Sequence, residues 1–550
     1  MRLSRRETIK LLGLSAAATL VDGALLQRAS GAAPPAPRMP LEEFVQSPRL
    51  LAALRKGVRE MKRRKPSDPL SWFYQAAIHG VTDEAIEEAA KADPAVRRVF
   101  RKRYWNQCPH DGENSANFLP WHRGYTYYFE KILRMHTEES DFSLPYWNYT
   151  EKANRKFPKE LGIEHLNGDI NDNRPENINP LFLAERDFYF TSYEHPFAIG
   201  LPLLELTDTA VDISLPMAAP VFFGDTERQG LGGGIADEDP STRGLLESYP
   251  HDHIHRAVGG IVAAPGGTVA IGAMATPPTA GFDPIFPIHH SNIDRLWALW
   301  ACMPGKRWGK LPSSYWFNER PWFFFDTDGK AVNEPRKAYF NHRALGVRFK
   351  YEDPRCRPLM LPAMISDAAE SLAERVKSVE LLTEVDVSFA VPGAQRAAIA
   401  FPKSARERLR GPVTALKAQA RADGSDKRLI LRLQNVDLGA VPATGFDVHV
   451  TTTPGAELSR NGASFVGSIA LFTHAQAAAG GEHHGGGHGS HSAAESFDIS
   501  RAVAAADESL EGLSLVVVPY SLLTIPGKST VLLDRDVLKV SGAEVFMIEQ

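Results

Sequence analysis

Apolar residues recur at helical spacing through Val45 to Met61 and through Asp83 to Phe100. This period predicts amphipathic helices. The run Trp72-Phe-Tyr-Gln-Ala-Ala-Ile-His79 reads as a further helix that stops at Gly80. Gly- and Pro-rich stretches, Gly230 to Gly234 and Pro265 to Gly281, predict loops. The texture changes near residue 375. Val379 to Val391, Leu429-Ile-Leu-Arg-Leu, Gly445-Phe-Asp-Val-His-Val and Leu513-Ser-Leu-Val-Val-Val are β-rich runs bounded by Gly, Pro, Asn and Asp. Short strands of this kind predict an antiparallel sandwich or barrel. The pattern therefore predicts a mainly α domain over 40–350 and an all-β, sandwich-like domain over 375–550, with no tandem repeat.

Length agrees with that division, since 550 residues at about 150 per domain accommodate one large and one smaller domain. The N-terminus reads as an address. Ser4-Arg5-Arg6-Glu7 and Lys10 precede a weakly apolar stretch, Leu11 to Leu26, and then the small residues Ser30 to Ala33. Residues 1–33 are thus expected to be a twin-arginine export signal, cut near Ala32 or Ala33, which delivers the protein to the periplasm or beyond. Such export carries folded proteins, often ones already loaded with a cofactor. No other segment is long and apolar enough to span a bilayer. With 62 Lys+Arg against 66 Asp+Glu, the chain has no basic footprint for nucleic acid. Three cysteines exclude a disulfide framework. Cys302 and Cys356 could pair in an oxidising compartment, and Cys108 would be left over.

Among the 18 histidines, two clusters carry chemistry. In Tyr249-Pro-His251-Asp252-His253-Ile-His255, the four-residue spacing of His251 and His255 puts two imidazoles on one helix face, one turn apart. Downstream, Asp283-Pro-Ile-Phe286-Pro287-Ile-His289-His290 opens an apolar helix that continues to Asp294 and Trp297. Asp294 can accept a bond from a ligand or pair with an arginine. The other cluster runs Cys108-Pro-His110, then Phe118-Leu-Pro-Trp-His122-Arg123, with Glu130 two turns on and placed for a buried charged network. An all-imidazole set leaves a metal's full positive charge in place. That suits copper, which can lower its own charge, although zinc also accepts imidazole.

Phe118-Leu-Pro-Trp-His122-Arg123 with Glu130 resembles the first copper signature of tyrosinases, catechol oxidases and haemocyanins. Asp283-Pro-x-Phe286-x-x-x-His290-x-x-x-Asp294 resembles their second. The resemblance covers roughly residues 70 to 300. It implies two copper ions and dioxygen as co-substrate, with His79, His110 and His122 on one copper and His251, His255 and His290 on the other. It also implies a thioether between Cys108 and His110, as in some members. Glu247 and Asp252 fall where the family keeps groups that help deprotonate a monophenol, and Arg256 falls at the pocket mouth, where it would steer substrate. The sequence departs from the pattern in three places. Seven residues separate His110 from Phe118, Pro287 replaces a large apolar residue, and Asp252 stands where Asn is common. Pro277 aligns with the bulky gate of some plant enzymes, which implies an open gate.

The resemblance implies a small phenolic substrate and an ortho-hydroxylating, catechol-oxidising enzyme. The alternatives are a catechol oxidase without monophenol activity and a haemocyanin-like oxygen binder. Thr444-Gly-Phe446-Asp-Val-His-Val and Phe465-Val-Gly-Ser468 resemble the C-terminal domain of plant polyphenol oxidases, which commonly covers the copper site. His253 and His289 read as structural or as supports beside the ligands. The tract Glu482 to His491 reads as a loop that binds metals adventitiously.

Overall fold

The computed structural model describes residues 35–100, 102, 104–109, 115–194, 203–224, 230–233, 243–263, 269–309, 311–361, 378–392, 396–419, 427–436, 444–453, 455, 457–469, 493–507, 509–524 and 537–549. The twin-arginine segment, His110 and the histidine-rich tract lie outside them.

Five helices frame the first part: α1 (Pro48–Arg63), α2 (Trp72–His79), α3 (Phe118–Thr137), α4 (His253–Gly259) and α5 (Ile285–Cys302). Helix α1 starts later than the apolar pattern suggested. Ser47 caps it by accepting from the Leu50 amide, and Pro48 fills the first turn, where its missing N–H costs nothing. The long helix expected over Asp83 to Phe100 is two, Asp83–Ala92 and Val96–Phe100. They are interrupted at Asp93-Pro94, because proline disfavours helical backbone in the residue before it. Helix α1 crosses α3 closely, and a Cβ on Gly57 would lie 2.7 Å from the Leu133 side chain.

Helices α3 and α5 are joined by buried ions. Asp294 accepts from Arg123 at 2.6 Å and from Arg38 at 3.0 Å, and Glu130 accepts from Arg38 at 2.7 Å and from Arg134. Both carboxylates are thus spent on arginines, in line with the expected charged network. Charges this deep persist only when paired and hydrogen-bonded. Cys302 at the end of α5 is disulfide-bonded to Cys356, with the Cα atoms 5.4 Å apart.

The β-rich part holds two four-stranded antiparallel sheets. Including β1 (Glu205–Leu206) of the helical part, the strands are β2 (Ser378–Val385), β3 (Phe389–Pro392), β4 (Ala397–Ala400), β5 (Lys427–Val436), β6 (Thr444–Thr451), β7 (Phe465–Ile469), β8 (Ala493–Asp498), β9 (Ser514–Ser521), β10 (Leu523–Thr524), β11 (Val537–Val540) and β12 (Gly542–Glu549). The sheet orders are β8-β5-β12-β2 and β4-β9-β6-β7. Their inner faces share a core of Leu429, Leu431, Val448, Val450, Leu515 and Val517. Two helices, α6 (Lys403–Gln419) and α7 (Ser500–Ala505), complete this core, so the sandwich is not purely β. Among the described residues, no helix is long and apolar enough to cross a membrane.

Candidate metal centre

The first half of the centre starts at the C-terminal turn of α2. Backbone N–H groups of Asn106, Gln107 and Cys108 donate to the carbonyls of Ala77, Ile78 and His79. These bonds satisfy acceptors that a helix end leaves open and strap Cys108 beside His79. The Nδ1–H of His79 donates to the Pro277 carbonyl at 2.9 Å. That approach requires glycine next door, because a Cβ on Gly80 would lie 2.6 Å from the same oxygen. His122, in the second turn of α3, donates from Nδ1 to the Phe118 carbonyl at 2.8 Å. A bond at Nδ1 fixes the tautomer and leaves Nε2 as the ligand atom. The Cys108 sulfur lies 3.4 Å from His122 Nε2.

The second half is built on a kinked entry. Glu247–Asp252 is a kinked segment, extended at Tyr249 (φ −137°, ψ 121°), that runs into α4. His251 Nδ1 lies 2.8 Å from an Asp252 carboxylate oxygen. His255 Nδ1 donates to the Met274 carbonyl at 2.8 Å. His290 projects from α5 with its Nε2 3.4 Å from that of His255. The His251 and His255 ring centroids are 4.4 Å apart, as the one-turn spacing required. The halves meet where the His122 and His290 rings stack, 4.1 Å apart and 5° from parallel. Two groups of donor atoms therefore come within metal-binding reach: His79, Cys108 and His122 on one side, and His251, His255, His289 and His290 on the other. Burial pushes His122, His255 and His290 well below the ordinary histidine range and His289 down to about 3. These imidazoles are neutral, which is the form that binds a metal. The donor set fits a pair of copper ions by its chemistry: borderline imidazole nitrogens and one soft cysteine sulfur, with no carboxylate in either group.

Among the described residues, acidic side chains cluster beside the second half. Arg243 pairs with Asp252 at 2.6 Å, Glu247 at 3.4 Å and Glu495 of β8 at 3.5 Å. Burial is the main cause that raises Glu247 to about 7 and lifts Asp252 and Glu495 above the carboxylate range, and Arg243 opposes it. His253 lies 2.7 Å from the Tyr520 hydroxyl. Burial pushes His253 down to about 3, so the ring in this bond is neutral. A narrow cleft between the two parts is lined by Arg243, Tyr249, Asp252 and His253 on one wall and by Gly467, Glu495 and Phe497 on the other.

The structure revises several expectations. Arg256 is 5% exposed and lies within electrostatic reach of Asp252 and His253. Buried in this way, it does not stand at an open mouth. Pro277 is buried, with its carbonyl turned on His79, and forms no open gate. His289 joins the second donor group instead of standing apart, although its Nδ1 faces the Tyr149 hydroxyl at 3.4 Å. The sequence reading missed Arg243 and Glu495. Arg243 stands one helical turn before Glu247, the only local signal of a partner.

A helical framework that joins two buried, histidine-rich donor groups without carboxylates across a stacked histidine pair defines a protein built for a binuclear metal centre. The model for the common central domain of tyrosinase matches residues 69–198 and 221–302, and a domain of unknown function, DUF7868, matches residues 378–520. A tyrosinase of Hahella sp. (strain CCB-MM4) is 28% identical over 441 residues, covering 76% of this chain and 81% of that protein. A chloroplastic polyphenol oxidase of Malus domestica is 26% identical over 428 residues, covering 76% of this chain and 66% of that protein. Among solved structures, latent apple tyrosinase superposes with a TM-score of 0.51 at 18% identity, covering 94% of this chain and 98% of that one. That likeness is one of fold. Residues 69–198 and 221–302 thus carry the central domain of the tyrosinase family, which supports a copper oxidase.

Proposed function

We propose that the protein is a binuclear copper tyrosinase that hydroxylates monophenols ortho to the hydroxyl and oxidises o-diphenols to o-quinones. In this reading His79, His110 and His122 hold one copper, and His251, His255 and His290 hold the other. The observation that carries it is the meeting of two histidine-rich, carboxylate-free donor groups at the His122–His290 stack. When bound, a copper pair supplies the electron exchange with dioxygen. The overall reactions balance: a monophenol and O2 give an o-quinone and water, and two catechols and O2 give two quinones and two waters.

The chain's own residues orient and exclude. Carbonyls of Pro277, Phe118 and Met274 hold three imidazoles by Nδ1, and burial keeps bulk water from all five described ligands. Asp252 and Glu247 are the proton acceptors for a phenol hydroxyl. In this reading Cys108 forms a thioether to His110, which would lower the intact mass by two hydrogens. Residues 40–350 form the copper domain and 375–550 a cover over it. Residues 1–33 direct export by the twin-arginine route.

A second reading, catechol oxidation alone, is favoured by one feature. Both candidate bases are paired with Arg243, which holds them away from a proton-acceptor role in this closed arrangement. Dioxygen uptake by the copper-loaded full chain, with a monophenol and with its matched catechol, separates the two. Turnover of both supports the tyrosinase. Turnover of catechol alone leaves the oxidase and removes Glu247 and Asp252 as bases. Two bound coppers without turnover of either defeats both.

A further inference from the structure

The junction between the two parts is more than a lid resting on a surface. At the end of β9 the chain leaves the β-rich core and enters the helical one. Leu515 and Val517 pack inside the sandwich. A few residues later, Leu522 (0% exposed) and Leu523 (4%) belong to the core of the helical part, with Leu206, Val211 and Ile254.

Backbone pairing accompanies this packing. Strand β10 pairs antiparallel with β1, with Leu523 opposite Leu206 and Thr524 opposite Glu205. Thr207 extends the pairing. Its N–H donates to the Leu522 carbonyl at 3.0 Å, and its hydroxyl donates to the Ser521 carbonyl at 2.9 Å. A strand added to a sheet edge gains main-chain bonds, and its alternate side chains fill pockets.

Just before this strand, Tyr520 bonds to His253, which stands between His251 and His255 on the same turn of chain. The Arg460 guanidinium, held by Asp447, lies 4.5 Å from the Tyr520 ring centroid and 5.7 Å from that of Tyr249. Room for the Tyr520 ring depends on Gly445, where a Cβ would approach it to 2.2 Å.

We propose that residues 520–524 are a built-in strand ligand that completes the helical part, and that Tyr520 is a positioning residue for the segment carrying His251 and His255. Cutting the chain between the two parts therefore does not free the β-rich part. Tyr520 acts through His253 and does not touch the metal donors.

The test uses the full chain with a specific protease site placed within 362–377 and cleaved to completion as judged on a denaturing gel. Native mass spectrometry should find both fragments in one 1:1 species. Separation into two folded fragments overturns the proposal. In the cleaved chain, Leu522→Asp with Leu523→Asp should release the β-rich fragment. Should that variant not fold, Thr207→Val, which removes the hydroxyl's bond across the junction to the Ser521 carbonyl and the one it accepts from the Ala210 amide, should speed fragment dissociation about 3- to 10-fold. Unchanged dissociation in the variant measured overturns the strand's role.

For the positioning role, copper affinity is read by chelator competition. Tyr520→Phe should weaken the second copper about 3- to 10-fold and leave the first unchanged. His253→Phe should do the same, and the double variant should add nothing further. Equal affinities in wild type and Tyr520→Phe, or additive losses, overturn it.

Discussion

The two halves of the metal centre are held by different kinds of group. Around His79 and His122, the Nδ1 acceptors are main-chain carbonyls and the neighbours are aromatic, among them Trp121, Tyr125 and Phe286. Around His251, an acidic side chain takes the same position, tied in turn to Arg243, Glu247 and Glu495. A carbonyl cannot change its charge, so the first half is fixed by fold alone. A carboxylate can change its charge and its partner. The second half is thus the place where protonation and the seating of the β-rich part act on the centre. The contrast extends to stability. Between α3 and α5, Glu130 and Asp294 are each met by two of the arginines Arg38, Arg123 and Arg134, whereas beside the second half three carboxylates share Arg243.

Loss of a ligand gives the largest expected effect. His290→Ala should reduce bound copper from two ions per chain to one, and His289→Ala should retain two, as measured by metal analysis. Loss of an ion from His289→Ala would transfer the ligand role to that residue and redraw the second half.

Next is the ion network. Asp294→Ala leaves Arg38 and Arg123 buried without their shared carboxylate, which should cost about 3–5 kcal/mol in urea unfolding. That cost should be nearly the same at pH 5 and pH 8, since the arginines do not titrate there. A strong pH dependence would break the contrast between the halves.

Arg243→Met tests the other side. Glu247, Asp252 and Glu495 already have raised values in the folded chain. Between the ordinary carboxylate value and the raised one, the folded state binds more protons than the unfolded state, so stability falls as pH rises. The variant should therefore lose about 3–5 kcal/mol at pH 8 and clearly less at pH 5, where protons replace the guanidinium.

The smallest effect concerns His253, with a value of about 3 against an ordinary 6.5. Below pH 6.5 only the unfolded state takes up this proton. Acidifying metal-free protein from pH 6.5 to 5 should therefore cost about 2 kcal/mol through this residue. His253→Phe should flatten the unfolding profile by that amount, and an unchanged slope would mean that the ring is protonated in the folded chain.

Much of this centre was legible in the sequence. The helical spacing of His251 and His255, the position of His290 four residues after Phe286, and Gly80 as the end of α2 all appear in the structure as read. Each is a local relation, set by the 3.6-residue turn or by the steric limits of the backbone, and local relations are carried by neighbouring residues. The helix α6 was missed even though Ala405, Leu409 and Val413 repeat every four residues, because it lies within a region whose runs otherwise read as strands.

What only the tertiary structure decided is of another kind. The carbonyl that orients His79 belongs to Pro277, and a main-chain acceptor leaves no mark in the side-chain alphabet. Glu495 meets Arg243, and Tyr520 meets His253, across hundreds of residues. Many arginines and tyrosines could have served. Sequence by itself determined which faces are apolar and which histidines share a turn. The choice among distant partners depended on the shape of the packed chain, because burial makes one pairing far cheaper than the rest.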